Sequence, residues 1–444
     1  MKELELARDG WVERCERLGK ELGEAEPEFL RRLRREATQH FAEGGFPSPR
    51  LEDWKYTNVA ALAREPFEPA RPARGAVGRA DVGRIAFPVF ACSLFVFVNG
   101  RQAPELSTPV GDARRLRVES LARLRRESPG ALEGRLGARV DLAGHPFAAL
   151  ATALLDDGAV VTIPDGVQAS EPIHLVFVSV ANGAPLLVLP RVLVCAGRSS
   201  RATLIVDHVS LGDGPCFTNA VCEADCSPDA ELHLVLLQRE GAGSFHVAHA
   251  SAHQERDSRF ASHTLSLGGS LVRNDLAVVL AAQGAECTLH GLFVGTGQQV
   301  LDNHTLVDHA QPHGTSRELY KGILGGSARG VFRGRIVVRE GAQKTDARQS
   351  NANVLLADGA EIDTKPQLEI RADDVKCSHG ASIGALDEDA LFYLRSRGIA
   401  ESEARDVLTQ GFAAEILRAL PVAGLGECVA ELVLERLQRG LEAA

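Results

Sequence analysis

From about residue 150 to 378 the 444-residue chain carries strand texture with no helical interruption, and this long uniform stretch limits the fold more than any other feature. Short runs rich in Val, Ile, Leu and Thr follow one another (VVTIP, IHLVFVSV, LLVLPRVLV, ATLIVDHVSL, ELHLVLLQ, SLVRNDLAVVL, ECTLHGLFV, GVFRGRIVV, EIDTKPQLEI) with Gly, Asp, Asn or Pro between them. Strands spaced by about 8 to 12 residues usually make a sandwich or a barrel. A recurring turn points elsewhere. Gly284-Ala285-Glu286, Gly341-Ala342-Gln343 and Gly359-Ala360-Glu361 repeat one signal, each expected to feed a strand, and Asp229-Ala230-Glu231 is a degenerate copy. A solenoid grows rung on rung and needs no closure, so it accommodates such a run better than a barrel does. The expected core is a β-helix, with a sandwich as the alternative.

Helical periodicity brackets this core. Trp11, Cys15, Leu18 and Leu22 recur at helical steps, and Phe29, Leu30, Leu33, Ala37 and Phe41 form a second set, with Pro27 suited to its first turn and Gly44-Gly45 to its end. Residues 66–149 mix a Pro/Arg-rich stretch (EPFEPARPARG), an apolar strand pair near Cys92 to Val98 turning at Asn99-Gly100, and an Arg-rich helical segment near 118–136. After the core, Asp387 caps one expected helix and Ser402 a second carrying Leu408, Phe412, Ile416 and Leu420. Val429, Leu432, Val433, Leu437 and Leu441 form a third stripe. The expected partition is a helical region 1–65, a small α/β lobe 66–149, the β-helix 150–378 and a helical domain 379–444.

Composition narrows the function. With 49 basic and 59 acidic residues the net charge is −10, which argues against nucleic acid as the main partner, because phosphate binding needs concentrated Lys and Arg. No window approaches the roughly 18 apolar residues of a membrane-spanning helix, and the charged N-terminus is unlike a signal peptide, so a soluble cytoplasmic protein is expected. Nine scattered cysteines without a CxxC pair fit neither a disulfide framework nor a zinc ribbon.

Among chemistry-bearing residues, GILGGSARGVFRG is glycine-rich but lacks GKS or GKT, and neither GxGxxG before a helix, GxSxG nor HExxH occurs. His304, His309 and His313, with 309 and 313 on one face of an extended segment, read as turn histidines before they read as metal ligands. His246, His249 and His253 lack carboxylates at useful positions, and Cys216, Cys222 and Cys226 read as core packing. Cys377 and His379 differ. Two apart on a strand, they place a thiol and an imidazole on one face, within reach of a single thiophilic ion such as Fe(II) or Zn(II). Two ligands are half a site, so the rest would come from elsewhere in the chain, solvent or a partner; the competing reading is a buried Cys beside a hydrogen-bonded His.

The segment GAQKTDARQSNANVLLADGAEIDTKPQLEIRADDVKCSHGASIGALDEDALFYLRSRGI closely resembles the signature of the SufB/SufD family of the SUF iron–sulfur cluster assembly system. SPRLEDWKYTNV, LFVFVNGRQAPELS, FTNAV and LDNHTLVDHAQPHGTSRELYKGIL are similar to that family in order and spacing, so the resemblance covers nearly the whole chain. It implies a right-handed parallel β-helix between an N-terminal helical region and a C-terminal helical domain. It implies a non-catalytic assembly subunit that binds no ATP itself. Its partners would be a SufB scaffold at the β-helix end and the ABC-type ATPase SufC on the C-terminal helices, a homodimer being the other pairing to consider. SufB carries a Cys in the strand matching SNANVLL and a Glu after the His of the next motif; here Asn351 and Asn353 stand in the first and Gly380 follows His379, the SufD pattern. Cys377 and His379 would then support iron or a nascent cluster at the heterodimer interface, with no cofactor held tightly by the chain alone. Leu391, Phe392, Tyr393, Arg395 and Arg397 would contact SufC, and removing residues after about 380 would leave the β core folded.

Overall fold

In the computed structural model, which describes residues 2–70, 75–87, 89–110, 116–212 and 214–442, the central chain is a parallel β-solenoid. From Cys216–Cys226 onward successive strands alternate between two sheets, and each internal strand pairs with the strands two before and two after it. One sheet has 11 strands and ends on Glu361–Ile370; the other has 10 and ends on Lys376–Gly384. Within the solenoid the pairings are parallel and in continuous register, as in Arg201, Glu231, Arg259, Glu286, Thr315, Asp346 and Lys376, each paired with the next. The space between the sheets is filled by one continuous core that runs from Phe97 and Phe177 through Leu204, Leu232 and Phe293 to Phe332 and Ile336.

The corners explain the repeat, and partly correct it. Six strands of the 10-stranded sheet are entered through one residue at positive φ followed by a small or short side chain. These pairs are Ser199-Ser200, Asp229-Ala230, Asp257-Ser258, Gly284-Ala285, His313-Gly314 and Lys344-Thr345. The first residue turns the chain by the left-handed conformation. The second tucks into the core, and size matters there: a Cβ on Gly314 would lie 2.8 Å from Nδ1 of His309. Gly284 and Asp229 belong to this series. Gly359 also precedes a strand, Glu361–Ile370, without positive φ, whereas Gly341 lies well before Asp346, where the next strand begins.

Helices seal both outer faces. Lys2–Leu22, Glu28–Gly44 and Pro146–Ala153 bring Trp11, Phe41, Phe147 and Leu150 onto Leu187, Phe217, Val247 and Leu271 of the 11-stranded sheet. Gly45, at φ 60, ends the second helix, and Pro27 occupies its N-cap. Buried Arg34 bonds Glu26 and the carbonyls of Ala153 and Leu155, tying this layer together. On the other sheet, Glu401–Arg418 and Leu425–Glu442 lay Ile416, Leu417, Val429 and Val433 against Ile205, Val235, Leu265 and Leu292. The second of the expected C-terminal caps is at Ala400, not Ser402, and the side chain of Leu441 lies outside the described residues.

The expected strand pair of the 66–149 segment is Ser93–Val98 with Arg101–Gln102, turned by Asn99 and Gly100 at positive φ, and the first of these strands joins the 10-stranded sheet beside Ile173–Val180. The Arg-rich segment gives a helix, Leu121–Glu127, capped by Ser120. Part of the Pro/Arg-rich stretch, 71–74, lies outside the described residues; Glu68–Pro69 before it pairs with Leu186 and Leu187. No helix among the described residues is long and apolar enough to cross a membrane.

Candidate functional site: the last turn of the solenoid

Cys377 pairs in register with Ala347, and His379 with Gln349. Ala347 and Gln349 are buried between the sheets, so both site residues project on the interior side of the final strand, as the period of two requires. Nothing among the described residues stacks beyond them, which leaves His379 exposed and Cys377 half-buried against the core. Burial raises the Cys377 thiol pKa, against a lowering contribution from a backbone hydrogen bond at Ala347. The thiol therefore keeps its proton near neutrality, and a metal would have to displace it. No group of three or more His, Cys, Asp or Glu side chains among the described residues is placed to hold a metal ion. The chain offers a pair of donors on an open end.

Beneath the pair the interior turns polar. Leu289, Glu318, Gln349 and His379 occupy successive turns of one column. Nε2 of Gln349 donates to Oε2 of Glu318 at 2.6 Å. The other Glu318 oxygen has no hydrogen bond of normal geometry, although Thr305 of the opposite sheet lies close enough to influence it. Burial pushes the Glu318 carboxyl up to about 7, and the Gln349 and Thr305 contacts only partly oppose that rise. Gly334 makes room for the amide: a Cβ there would sit 2.1 Å from Nε2 of Gln349. Asn351 and Asn353 are buried in the same interior, where Asn353 Nδ2 donates to Asn351 Oδ1 at 2.6 Å and to the carbonyl of Ser382 at 3.2 Å, holding the last strand down. Sequence reading missed Glu318 and Gln349. Their signal was parity, since Ser316, Glu318 and Tyr320 share one face of a strand whose alternate positions are core.

The other singled-out clusters do other work. His304 and His309 are strand residues on opposite faces, and only His313 sits at a turn. His304 joins an outer-face network through Asp302, at 2.9 Å, beside Arg273, whereas His309 points inward and contacts the hydroxyl of Ser316 at 2.9 Å. His246 does have a carboxylate, Glu240, at 2.7 Å. His249 is buried against His145 with no partner for either ring nitrogen, and His253 lies 3.6 Å from Glu255. Cys216, Cys222 and Cys226 are buried, and burial pushes each thiol up to about 12, the behaviour of core packing.

Helix Glu388–Ser396 is capped by Asp387, whose carboxylate accepts the Ala390 N–H at 3.0 Å. Leu391 is buried and anchors it, while Phe392 and Tyr393 are 73% and 57% exposed. Arg397 lies over the Tyr393 ring and Arg395 pairs with Glu401, both at the surface. The three C-terminal helices cannot be removed cleanly: the last two cover Ile205, Val235, Leu237, Leu265 and Leu292, so truncation near 380 would bare an apolar sheet face.

Fold and open end together define a two-sheet parallel β-solenoid protein whose final turn displays a thiol and an imidazole. Within that class, residues 13–175 match the SufBD protein N-terminal region, and residues 177–412 match the SufBD core domain of SUF-system FeS cluster assembly. The chain is 31% identical over 411 residues to the iron-sulfur cluster assembly protein SufD of Escherichia coli, covering 91% of this chain and 93% of that protein. It is 34% identical over 387 residues to an iron-sulfur cluster assembly SufBD family protein of Synechocystis, 85% of each chain, and 25% identical to SufD of Bacillus subtilis over 93% of this chain and 95% of the relative. The chain belongs to the SufBD family of iron–sulfur cluster assembly proteins.

Proposed function

We propose that this chain is a non-catalytic, SufD-type subunit that pairs with a SufB scaffold through the last solenoid turn and with the SufC ATPase through the helix Glu388–Ser396. The observation that carries the reading is the bare final turn, which sets Cys377 and His379 beside an unpaired strand edge. Unpaired edges invite pairing by another chain, and a second solenoid end laid against this one would complete both the ladder and the donor set. Iron or a nascent cluster is cargo here. The isolated chain, with two donors, would hold it weakly and purify nearly metal-free. Phe392 and Tyr393 beside Arg395 and Arg397 have the aromatic and Arg composition of interface hot spots, with Leu391 as their internal anchor.

The test is iron and cluster content of the complex co-purified from the cytoplasm with SufB- and SufC-type partners. His379→Ala should leave assembly intact and lower iron and cluster yield, with Cys377→Ala milder. Undiminished yield in both variants would leave the purely structural reading, an adaptor that holds SufC beside SufB while Cys377 and His379 only pack.

A further inference from the structure

Among the described residues the buried carboxylates are compensated, with one exception. Asp207 faces Arg239, Glu223 faces Arg191, Asp275 and Asp302 share Arg273, and Glu240 faces His246. Asp157, with no salt bridge among the described residues, accepts from the Ser120 hydroxyl and the N–H groups of Gln102 and Ala122. Glu318 is 4% exposed and has one neutral amide donor, Gln349. The titratable groups around it supply no charge: Cys287 on the strand below and Tyr320 on its own strand are both held protonated by burial, and His309 on the opposite sheet is pushed down to about 4 and stays neutral. A carboxyl in such a place is a functional candidate. Its position says for what, since the column that holds it ends on His379.

We propose that Glu318 is the buried counter-charge for a cation held by Cys377 and His379 at the last turn, with Gln349 as the polar link between them. This rests on the metal reading of that pair. Two turns separate Glu318 from His379, about 10 Å at the strand spacing of a sheet. In the empty protein at about pH 6 the carboxyl is largely neutral, which spares the interior an unpaired charge. A divalent cation at the end of the column favours the carboxylate, because the field between them is weakly screened. Charge then balances: the Cys377 thiol and the Glu318 carboxyl each release a proton to solvent, and thiolate plus carboxylate neutralise the two positive charges, with His379 a neutral ligand. Gln349 serves by keeping its N–H on the carboxylate, the form that accepts it best.

The experiment is Co(II) titration of the complex of this chain with SufB- and SufC-type partners, by calorimetry in buffers of different ionisation enthalpy, which counts protons released per metal. At about pH 6 Cys377→Ala and Glu318→Gln should each release about one proton fewer per metal than the wild type, and Glu318→Gln should bind Co(II) about tenfold more weakly. Glu318→Gln keeps shape and an acceptor for Gln349, and its fold is checked by an unchanged elution profile and partner binding. If Cys377→Ala and His379→Ala weaken Co(II) binding but Glu318→Gln matches the wild type in affinity and proton count, the counter-charge proposal fails and the metal reading stands. If Cys377→Ala and His379→Ala leave binding unchanged, or the wild type binds no Co(II), both fall.

Discussion

At its first turns the solenoid is finished by strands that run against the ladder, Arg101–Gln102 on one sheet and Arg117–Ser120 on the other, whereas its last turn ends on two strands that nothing among the described residues pairs beyond them. The outer faces differ in the same sense. Helices cover the middle turns on both sides, but strand Lys376–Gly384 is exposed along nearly its whole length. Polar side chains are buried along the whole interior, but Glu240 in the middle meets His246, whereas Glu318 toward the end meets the neutral amide of Gln349. A repeat with one backbone plan thus has one end built to terminate and another whose backbone groups are left unpaired among the described residues.

The largest expected contrast is in core packing. Phe293→Ala removes a fully buried ring that Gly322 and Gly330 are shaped to admit, and should cost about 3–5 kcal/mol in chemical denaturation. Ile383→Ala, at a side chain 51% exposed, should cost under about 1 kcal/mol in the isolated chain. Similar costs for the two would mean the last turn is covered in solution. A second contrast is acid response. His208, His249 and His263 in the middle turns are pushed down by burial, to about 4, 3 and 3. Unfolded, they take up protons below about 6.5 while the folded protein does not, so stability falls as pH drops from there toward the folded values, by roughly 2 kcal/mol per histidine between about pH 7 and 5. Glu318 has the opposite sign: its raised pKa removes stability as pH climbs from 4.5 toward about 7. Hydrogen exchange at pH 7 and 5 should therefore show the middle strands losing more protection than Thr315–Leu324, and uniform loss would dissolve the contrast. The smallest effect on stability belongs to Phe392→Ala and Tyr393→Ala, within about 0.5 kcal/mol, because these rings face solvent. Both should nonetheless weaken capture of a SufC-type ATPase, and unimpaired capture would move that contact elsewhere.

Much of this was legible from the chain, because the features concerned are local. Alternation at period two put Cys377 and His379 on one face before any fold was known, and Asp387 and Asn99-Gly100 marked a cap and a turn by their own chemistry. The solenoid itself was readable from unbroken strand texture and a turn repeat, although that repeat is conformational: Ser199, Asp257, His313 and Lys344 share one backbone state and no side-chain chemistry. Tertiary structure alone decided the rest. Whether a buried polar residue is compensated depends on neighbours one turn away, some 30 residues along the chain, so Glu318 looked no different in sequence from Glu223, which meets Arg191. Whether the C-terminal helices are a detachable module depended on which sheet face they cover, and whether a strand is an edge depends on what the chain lays beside it. Sequence periodicity sets which way a side chain points; only packing sets what it meets there.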